Sequence, residues 1–326
     1  MSFSATGLFP GPDVFDQPLV FGAVVGIVLL LVVAFAVNGL MWSFGSISRE
    51  QFQEIHLRVK SWCWLVLGIL TPILLGPGWV MAAVLCLSLL CYREFARATG
   101  VFREREIGAI VVLGIVSVTL ANAMHYDRMY FSLAALTVVA LAIITIPTDQ
   151  PKGYLQRTAL GVFAFLLFGY SFGYLGMIAN DPRFRSILLL ILISVELNDV
   201  FGYCVGKTIG GPKLVPNTSP GKTRAGSIGA LVLTTGLVMF LGHVVFRGSG
   251  VDCWNHLLEL GVIIGGLGQM GDLVLSSVKR DLGIKDLGTV LPGHGGWLDR
   301  FDSLVLVPPA VFHFLSYHLG PLGAAN

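Results

Sequence analysis

Charged residues are scarce in this sequence: they make up 12% of its 326 residues, while 55% are hydrophobic. Too few charges remain to cover a water-soluble globule, and a mean hydropathy of +0.79 is typical of proteins that cross a membrane many times. No Lys or Arg precedes Arg49, so residues 1–18 lack the basic segment that opens a cleaved signal peptide. The composition predicts one membrane-embedded domain rather than several soluble ones.

Cysteine is also rare, and its positions argue against both a disulfide framework and a metal site of the Cys-x-x-Cys type. The five cysteines lie in or beside apolar runs, where they are expected to act as small hydrophobic side chains. They are Cys63, Cys86, Cys91, Cys204 and Cys253. Internal repeats and low-complexity tracts are not visible either, which excludes repeat architectures.

What the sequence has in abundance is apolar runs, ten of which could cross a membrane. They are Leu19–Trp42, Trp62–Leu75, Trp79–Cys91, Ile107–Met124, Tyr130–Pro147, Thr158–Ala179, Ile187–Cys204, Ser227–Phe246, Trp254–Leu275 and Leu304–Leu319. The second and third are short and could be two tilted helices or one re-entrant hairpin. The predicted fold class is all-α, a polytopic transmembrane helical bundle with about nine or ten membrane helices.

The basic residues set the expected orientation, because Lys and Arg are enriched in cytoplasmic loops. With the N-terminus outside, 17 of the 21 Lys and Arg residues fall in inside loops and four fall outside. The prediction is therefore N-out and C-out, with an even number of crossings. In the first inside loop, residues 43–61, Ser48 and Gln51 form a capping-box pattern. That loop could hold an amphipathic helix on the membrane surface or a solvated connector.

Carboxylates cluster at the cytosolic ends of three predicted spans, and intramembrane acids are usually functional. Glu196 and Asp199 share one helical face, Asp272 lies near the end of the ninth span, and Asp299 and Asp302 open the tenth. Converging carboxylates need a counter-charge, which Mg²⁺ can supply. The alternative is a set of structural ion pairs with Lys279, Arg280 and Arg300.

Glycine and lysine mark a second polar region, residues 198–226, where backbone amides and ammonium groups could surround phosphate oxygens. It is not a Walker A loop, because Pro216 stands where the first glycine would be needed before Gly221-Lys222-Thr223. An ordinary positively charged cytosolic loop is the alternative.

The stretch from Ser276 to Asp302 carries a distinctive motif: Ser-x-Val-Lys-Arg, then Lys285-Asp286, then Pro-x-His-Gly-Gly and Asp-Arg-Phe-Asp. Its residues and spacing resemble the hallmark of the phosphatidate cytidylyltransferase (CDP-diacylglycerol synthase) family. The upstream Lys-Leu-x-Pro at 213–216 and Ser-Pro-x-Lys-Thr at 219–223 look like that family as well. The resemblance covers residues 195–303, and residues 1–180 resemble the family only in forming several spans. The sequence departs from the family's pattern at Gly202, Arg224, Ala225 and Trp297.

This resemblance implies a membrane enzyme that makes CDP-diacylglycerol and pyrophosphate from CTP and phosphatidate or a related phosphorylated lipid. Residues 181–326 would carry the catalytic motifs, at the cytosolic side of a bacterial inner membrane, with a homodimer plausible and no nucleic acid involved. The implied metal ligands, for Mg²⁺ or another divalent cation, are Asp272, Asp299 and Asp302. The implied catalytic residues are Lys222, Lys279, Arg280, Asp286, His294 and Arg300. The implied substrate-binding residues are Asn198, Asp199, Lys207, Lys213, Ser219, Thr223 and Lys285.

Two other functions are compatible with the residues. A CTP-dependent lipid kinase would transfer the γ-phosphate and release CDP. A transporter would need ionisable residues near mid-membrane, whereas the polar residues here gather toward one face.

Overall fold

The structure is a computed structural model that describes residues 17–45, 48–290 and 295–320. His294 and most of the segment 1–18, for which the absence of a basic signal-peptide region was predicted, lie outside the described residues. The described chain is mostly helical. Its α-helices are α1 (Pro18–Ser43), α2 (Arg49–Leu75), α3 (Pro77–Thr99), α4 (Arg105–Ala123), α5 (Asp127–Ile144), α6 (Tyr154–Ala164), α7 (Phe172–Ile178), α8 (Phe184–Ile209), α9 (Arg224–Val245), α10 (Trp254–Asp281) and α11 (Val307–Leu319).

Within the described residues, nine helices are long and apolar enough to cross a membrane, which confirms the predicted polytopic helical bundle. One of the nine is the rod Tyr154–Ile178, in which a π-helical stretch, Phe165–Ser171, joins α6 to α7. The tenth predicted span is shorter than expected. Residues 302–304 form a 3₁₀ turn, and α11 has only 13 residues.

Although α11 is short, it runs back along α10 from one end toward the other. At one end, a Cβ added to Gly271 would lie 2.6 Å from the carbonyl oxygen of Asp302. At the other end, the rings of His256 and His318 are 4.0 Å apart. Sixteen residues of helix separate His256 from Asp272, a rise of about 24 Å. The chain therefore returns across most of the bundle after α10.

The first predicted inside loop is largely helical and belongs to a membrane helix. Ser48 and Gln51 form the predicted capping box: Gln51 N donates to Ser48 Oγ (3.2 Å) and Ser48 N donates to Gln51 Oε1 (2.9 Å). The helix that begins there, α2, continues unbroken to Leu75. The amphipathic segment is thus the first part of α2 rather than a separate surface helix or a connector.

Residues 62–91, which the sequence left as two helices or a re-entrant hairpin, belong to two full-length helices, α2 and α3. Gly76 joins them with a φ of 147°, a backbone conformation that favours glycine. The end of α2 meets the start of α8, where Arg185 Nε donates to the carbonyl of Ile73 (3.1 Å). The start of α1 reaches the same level, because Ser186 Oγ donates to Gln17 Oε1 (2.7 Å). These contacts match the alternation predicted for two separate crossings.

The polar region between α8 and α9 contains a small β-hairpin that the sequence did not predict. Strands β1 (Lys213–Val215) and β2 (Ser219–Thr223) pair antiparallel, with Lys213 opposite Thr223. Thr223 then caps α9 by accepting a hydrogen bond from Gly226 N (3.1 Å). The hairpin therefore fixes Lys222, the residue just before the cap, beside the helix bundle.

Glycines allow α8, α9 and α10 to approach closely. A Cβ on Gly226 would lie 2.6 Å from the carbonyl oxygen of Gly202, and one on Gly261 would lie 2.7 Å from Cα of Thr235. The close approach of Gly226 and Gly202 brings the start of α9 against the last turns of α8, the helix that also carries Asp199.

Candidate active site

An acidic site lies where the C-terminal halves of α8 and α10 meet β2 and the turn before α11. Lys279 of α10 is at its centre and only 8% exposed. Its Nζ lies 3.1 Å from Oδ1 of Asp299 and 3.5 Å from Oδ2 of Asp302. The two acids of the Asp-Arg-Phe-Asp segment therefore share one buried ammonium group.

A second lysine reaches the site from the hairpin. Lys222 Nζ lies 2.6 Å from Oδ2 of Asp272, and Ser276 Oγ donates to the other oxygen of that carboxylate (3.0 Å). Asp272 and Ser276 are one turn apart on α10, so the helix itself orients the carboxylate. The ion pair links the hairpin to α10.

Asp199 brings α8 into the same site. Its Oδ2 accepts a hydrogen bond from Ser303 Oγ (2.8 Å), and Ser303 N donates to Oδ1 of Asp302 (2.9 Å). Burial raises the pKa of the Asp302 carboxyl to about 8, and the neighbouring carboxylates of Asp272, Asp199 and Asp299 act in the same direction, while Lys279 opposes them. The single ammonium group of Lys279 therefore does not compensate for the burial and the negative neighbours of ionised Asp302.

Asp299 has a structural task in addition to its contact with Lys279. Its Oδ2 accepts three backbone hydrogen bonds, from Leu287 N (2.9 Å), Gly288 N (3.3 Å) and Gly296 N (3.0 Å). A carboxylate that accepts several amide hydrogens folds the loop around itself. Asp299 thus organises the loop that connects α10 to α11, and its Oδ1 is the oxygen that faces the acidic site.

The predicted metal ligands Asp272, Asp299 and Asp302 come together, but each is paired with a lysine. Among the described residues there is no group of three or more His, Cys, Asp or Glu already arranged around a common point. The ion pairs expected at Lys279 therefore form, and the binding of a metal by these carboxylates stays a prediction. With Asp199, four carboxylates surround two ammonium groups, which leaves two negative charges when all are ionised. Carboxylate oxygens in such an excess suit a hard divalent cation.

A polar cavity of ≈ 340 Å³ opens beside this site, between α8, β2, α9 and α10. Its polar lining includes Asp199, Lys222, Thr223, Ser227, Gln269 and Asp272. Asn198 lies in its wall, where its amide serves packing: Nδ2 donates to the carbonyl of Gly265 (3.2 Å) and Oδ1 accepts from Thr234 (3.0 Å). Asn198 therefore holds α8, α9 and α10 together, and its predicted contact with substrate stays a prediction.

An apolar cavity of ≈ 250 Å³ lies on the other side of the same loop, between α2, α3 and α8. Trp297, Phe301 and Leu304 of the loop contribute to its wall, and they alternate in sequence with the acids Asp299 and Asp302. One short segment of chain thus presents two carboxylates to Lys279 in the acidic site and apolar side chains to the hydrophobic cavity.

The remaining predicted cations are divided between the site and its surroundings. Arg300 lies within electrostatic range of Glu196 and Asp199 on α8. Arg280 ties the hairpin to the loop after α10, since Nε donates to the carbonyl of Thr218 (3.2 Å) and Nη1 to that of Ile284 (3.3 Å). It braces the two polar segments.

Several predicted residues are not drawn into the acidic site. Lys207 lies near the end of α8, with Nζ 3.4 Å from Tyr203 Oη. Lys213, Lys285 and Asp286 are exposed on the hairpin and on the loop after α10. Ser219 is half-buried in β2, and Thr223 is the buried cap of α9.

One residue that the sequence reading missed is Glu94 of α3. It is 6% exposed, and its two oxygens accept hydrogen bonds from Trp297 N (3.0 Å) and Leu298 N (2.8 Å) of the motif loop. The available signal was a single carboxylate between the apolar residues of a membrane helix, which is costly without a partner. Four arginines lie near Glu94 in the sequence, and this region was therefore interpreted only in terms of membrane topology.

The fold and site together define a polytopic integral membrane protein with a buried ionic site next to a hydrophobic cavity. Comparison with known proteins gives the family. The family model described as "Cytidylyltransferase family" matches residues 56–318, so the chain belongs to the cytidylyltransferase family. The match extends well beyond the residues 195–303 that carry the resemblance and includes most of the first half, though not α1.

Curated relatives cover most of the chain. The protein is 28% identical over 295 residues to the uncharacterized protein YnbB of Escherichia coli, an alignment that covers 88% of this chain and 95% of that protein. It is 31% identical over 251 residues to a phosphatidate cytidylyltransferase of Staphylococcus saprophyticus and 32% identical over 249 residues to that of Staphylococcus aureus. Each of these two alignments covers 75% of this chain and 93% of the relative.

Proposed function

We propose that this protein is a phosphatidate cytidylyltransferase. A phosphate oxygen of the lipid attacks the α-phosphorus of CTP, a new phosphoanhydride bond forms, and the bond between the α- and β-phosphates breaks. The products are CDP-diacylglycerol and pyrophosphate. The observation that carries the proposal is the segment 297–304, whose two acids share Lys279 in the acidic site while its apolar side chains line the hydrophobic cavity. An enzyme that joins a nucleotide to a lipid needs both surfaces side by side.

Electrostatics explains why a divalent cation belongs to the reaction. Cytidylyltransferases of this kind are generally divalent-cation dependent. CTP carries about four negative charges, and phosphoryl transfer requires that these be neutralised in a fixed geometry. The acidic site itself has two more carboxylates than ammonium groups. We therefore propose that Asp272, Asp299 and Asp302, with Asp199 nearby, would hold a divalent cation such as Mg²⁺, which would neutralise phosphate charge on CTP.

The two lysines have a defined task in this proposal. Lys222 and Lys279 each contact a carboxylate that would bind the cation. If those carboxylates held a cation, the ammonium groups of Lys222 and Lys279 would be free to bind phosphate oxygens. Lys222 lines the polar cavity and is assigned to CTP, while the more buried Lys279 is assigned to the lipid phosphate or to pyrophosphate as it leaves.

The hydrophobic cavity is assigned to the lipid. Its lining between α2, α3 and α8 is almost wholly apolar, and its wall adjoins Asp299 and Asp302. A phosphatidate whose headgroup reaches the acids can keep its acyl chains in the apolar region throughout the reaction. The excess of Lys and Arg in the loops at this end of the helices supports a cytosolic site in a bacterial inner membrane.

The test is turnover by the purified protein with CTP labelled at either the α- or the γ-phosphate, and with a panel of phosphorylated lipids. The proposal expects the α-label in the lipid product and one pyrophosphate released per lipid. Transfer of the γ-label with release of CDP would identify a CTP-dependent lipid kinase instead. Solute uptake into sealed vesicles without any CTP turnover would identify a transporter.

A further inference from the structure

Glu94 lies in the first half of the chain, and yet it bonds directly to the motif loop more than 200 residues later. Its carboxylate has one oxygen on Trp297 N and the other on Leu298 N, both in the segment that leads into Asp299. The side chain is buried and lines neither of the two cavities described above. A buried carboxylate that accepts two adjacent amide hydrogens fixes the path of that backbone.

Two glycines of the loop pack directly against this carboxylate. A Cβ added to Gly296 would lie 2.4 Å from Oε2 of Glu94, and one added to Gly288 would lie 2.6 Å from Oε1. Gly296 lacks the positive φ that favours glycine, which is found at its neighbour Gly295 (φ 81°). The closeness of Glu94 therefore explains why position 296 has no side chain.

Asp299, which belongs to the loop itself, accepts a hydrogen bond from the same stretch of backbone. Gly296 N donates to Oδ2 of Asp299, while Trp297 N and Leu298 N donate to Glu94. Three consecutive amide groups are thus divided between two carboxylates. The remaining oxygen of Asp299 faces Lys279, so the position of the loop sets the position of this acid in the site.

We propose that Glu94 is a positioning residue: α3 holds the segment 296–298 through this carboxylate and thereby sets where Asp299 stands relative to Lys279 and Asp302. The proposal rests on the cytidylyltransferase reaction described above. Glu94 touches no substrate. It acts through Asp299, and a displacement of a reacting group by about 1 Å can cost about a hundredfold in rate.

The activity test compares three variants with the wild type. In Glu94→Gln the side chain keeps its size but offers only one acceptor oxygen, and the maximal rate is expected to fall about tenfold. In Glu94→Ala both acceptors are gone, and in Gly296→Ala the new methyl group displaces the carboxylate; each is expected to lose about a hundredfold. The KM values for CTP and lipid should change less than about threefold, because neither cavity is altered.

A double variant tests whether the substitutions at positions 94 and 296 act through the same contact or independently. Removing the Glu94 side chain makes room for a methyl group at position 296. Glu94→Ala with Gly296→Ala should therefore be no slower than Glu94→Ala alone, whereas independent effects would multiply. Glu106→Gln is the matched control, because this glutamate is exposed at the start of α4. It should retain the full rate.

Amide hydrogen exchange tests the same contact without any substrate. In the purified wild type the peptide containing residues 296–299 should exchange slowly, and in Glu94→Gln it should exchange at least about tenfold faster, with α9 and α10 unchanged. This measurement also decides the matter if Glu94→Ala fails to insert or if the wild type proves inactive toward CTP. Unchanged exchange in Glu94→Gln would overturn the proposal. So would multiplicative effects in the double variant, or full activity per folded molecule in Glu94→Gln.

Discussion

Lys222 and Asp272 form an ion pair with 2.6 Å between Nζ and Oδ2, although they come from a hairpin and a helix that are 50 residues apart. Neither side chain is fully buried. The pair closes one wall of the polar cavity, so anything that binds there meets an ammonium group whose present partner is a candidate metal ligand. If a nucleotide bound there with its cation, Lys222 would exchange the carboxylate of Asp272 for a phosphate. Asp272 would exchange the ammonium group of Lys222 for the cation.

This relationship predicts the effect of neutralising the lysine. Lys222→Gln should raise the KM for CTP at least about tenfold, since a charge-assisted contact to phosphate is lost. The KM for the lipid should change little. Steady-state kinetics with each substrate varied in turn measures both. Lys152→Gln, an exposed lysine in another loop, serves as the control and should match the wild type. An unchanged KM for CTP in Lys222→Gln would remove Lys222 from the nucleotide site.

A second prediction concerns Asp302, a buried acid that shares Lys279 with Asp299. Asp302→Asn preserves the shape of the side chain and one acceptor oxygen, but it removes the charge available to a cation. Turnover should fall more than about a hundredfold. The variant should still insert and fold, because the loss of one crowded negative charge relieves repulsion from Asp272 and Asp199. Near-wild-type turnover would exclude Asp302 as a metal ligand. Asp281→Asn, exposed at the end of α10, is the matched control.

The meeting of Asp272, Asp299 and Asp302 could be predicted from the sequence, because helix direction and span ends place all three at one level of the membrane. The β-hairpin could not: β1 and β2 show no apolar alternation, and Pro220 lies inside the second strand. The different roles of Asp299 and Asp302 could not be predicted from the sequence either. Asp299 and Asp302 look equivalent in the motif, yet Asp299 accepts backbone hydrogen bonds from partners 3 to 12 residues away, whereas Asp302 accepts one from its neighbour Ser303.

Contacts that join distant parts of the chain account for the other differences. Glu94 and Leu298 are 204 residues apart, and no local pattern connects them. The shortness of α11 has a local cause, since Pro308 and Pro309 fall in its first turn, where proline starts a helix but cannot extend one backward. The predicted span began at Leu304, which lies in the preceding 3₁₀ turn.

A third prediction follows from the pKa of Asp302, which is raised to about 8. Below that pH the carboxyl holds a proton, and a cation must displace it to bind. The Mg²⁺ concentration for half-maximal rate should therefore fall as the pH rises from about 6 to about 8, by up to about tenfold per pH unit, and level off above. Addition of a chelator should stop turnover, and excess Mg²⁺ should restore it. A pH-independent Mg²⁺ requirement would contradict the prediction, and undiminished turnover in chelator would remove the cation altogether.

The last prediction concerns Trp297, where the family's pattern usually has an aliphatic residue. Its side chain lines the hydrophobic cavity, as that of Phe301 does, and its backbone N–H donates to Glu94. Trp297→Leu keeps the amide and removes bulk, which enlarges the cavity. The variant should keep its KM for CTP and gain activity toward phosphatidates with longer or branched chains relative to short ones, by about three- to tenfold in the ratio of kcat/KM values. Competition between two chain lengths in mixed vesicles measures that ratio directly. Trp254→Leu, an exposed tryptophan at the start of α10, should leave it unchanged. An identical ratio in Trp297→Leu and the wild type would place the acyl chains elsewhere on the protein.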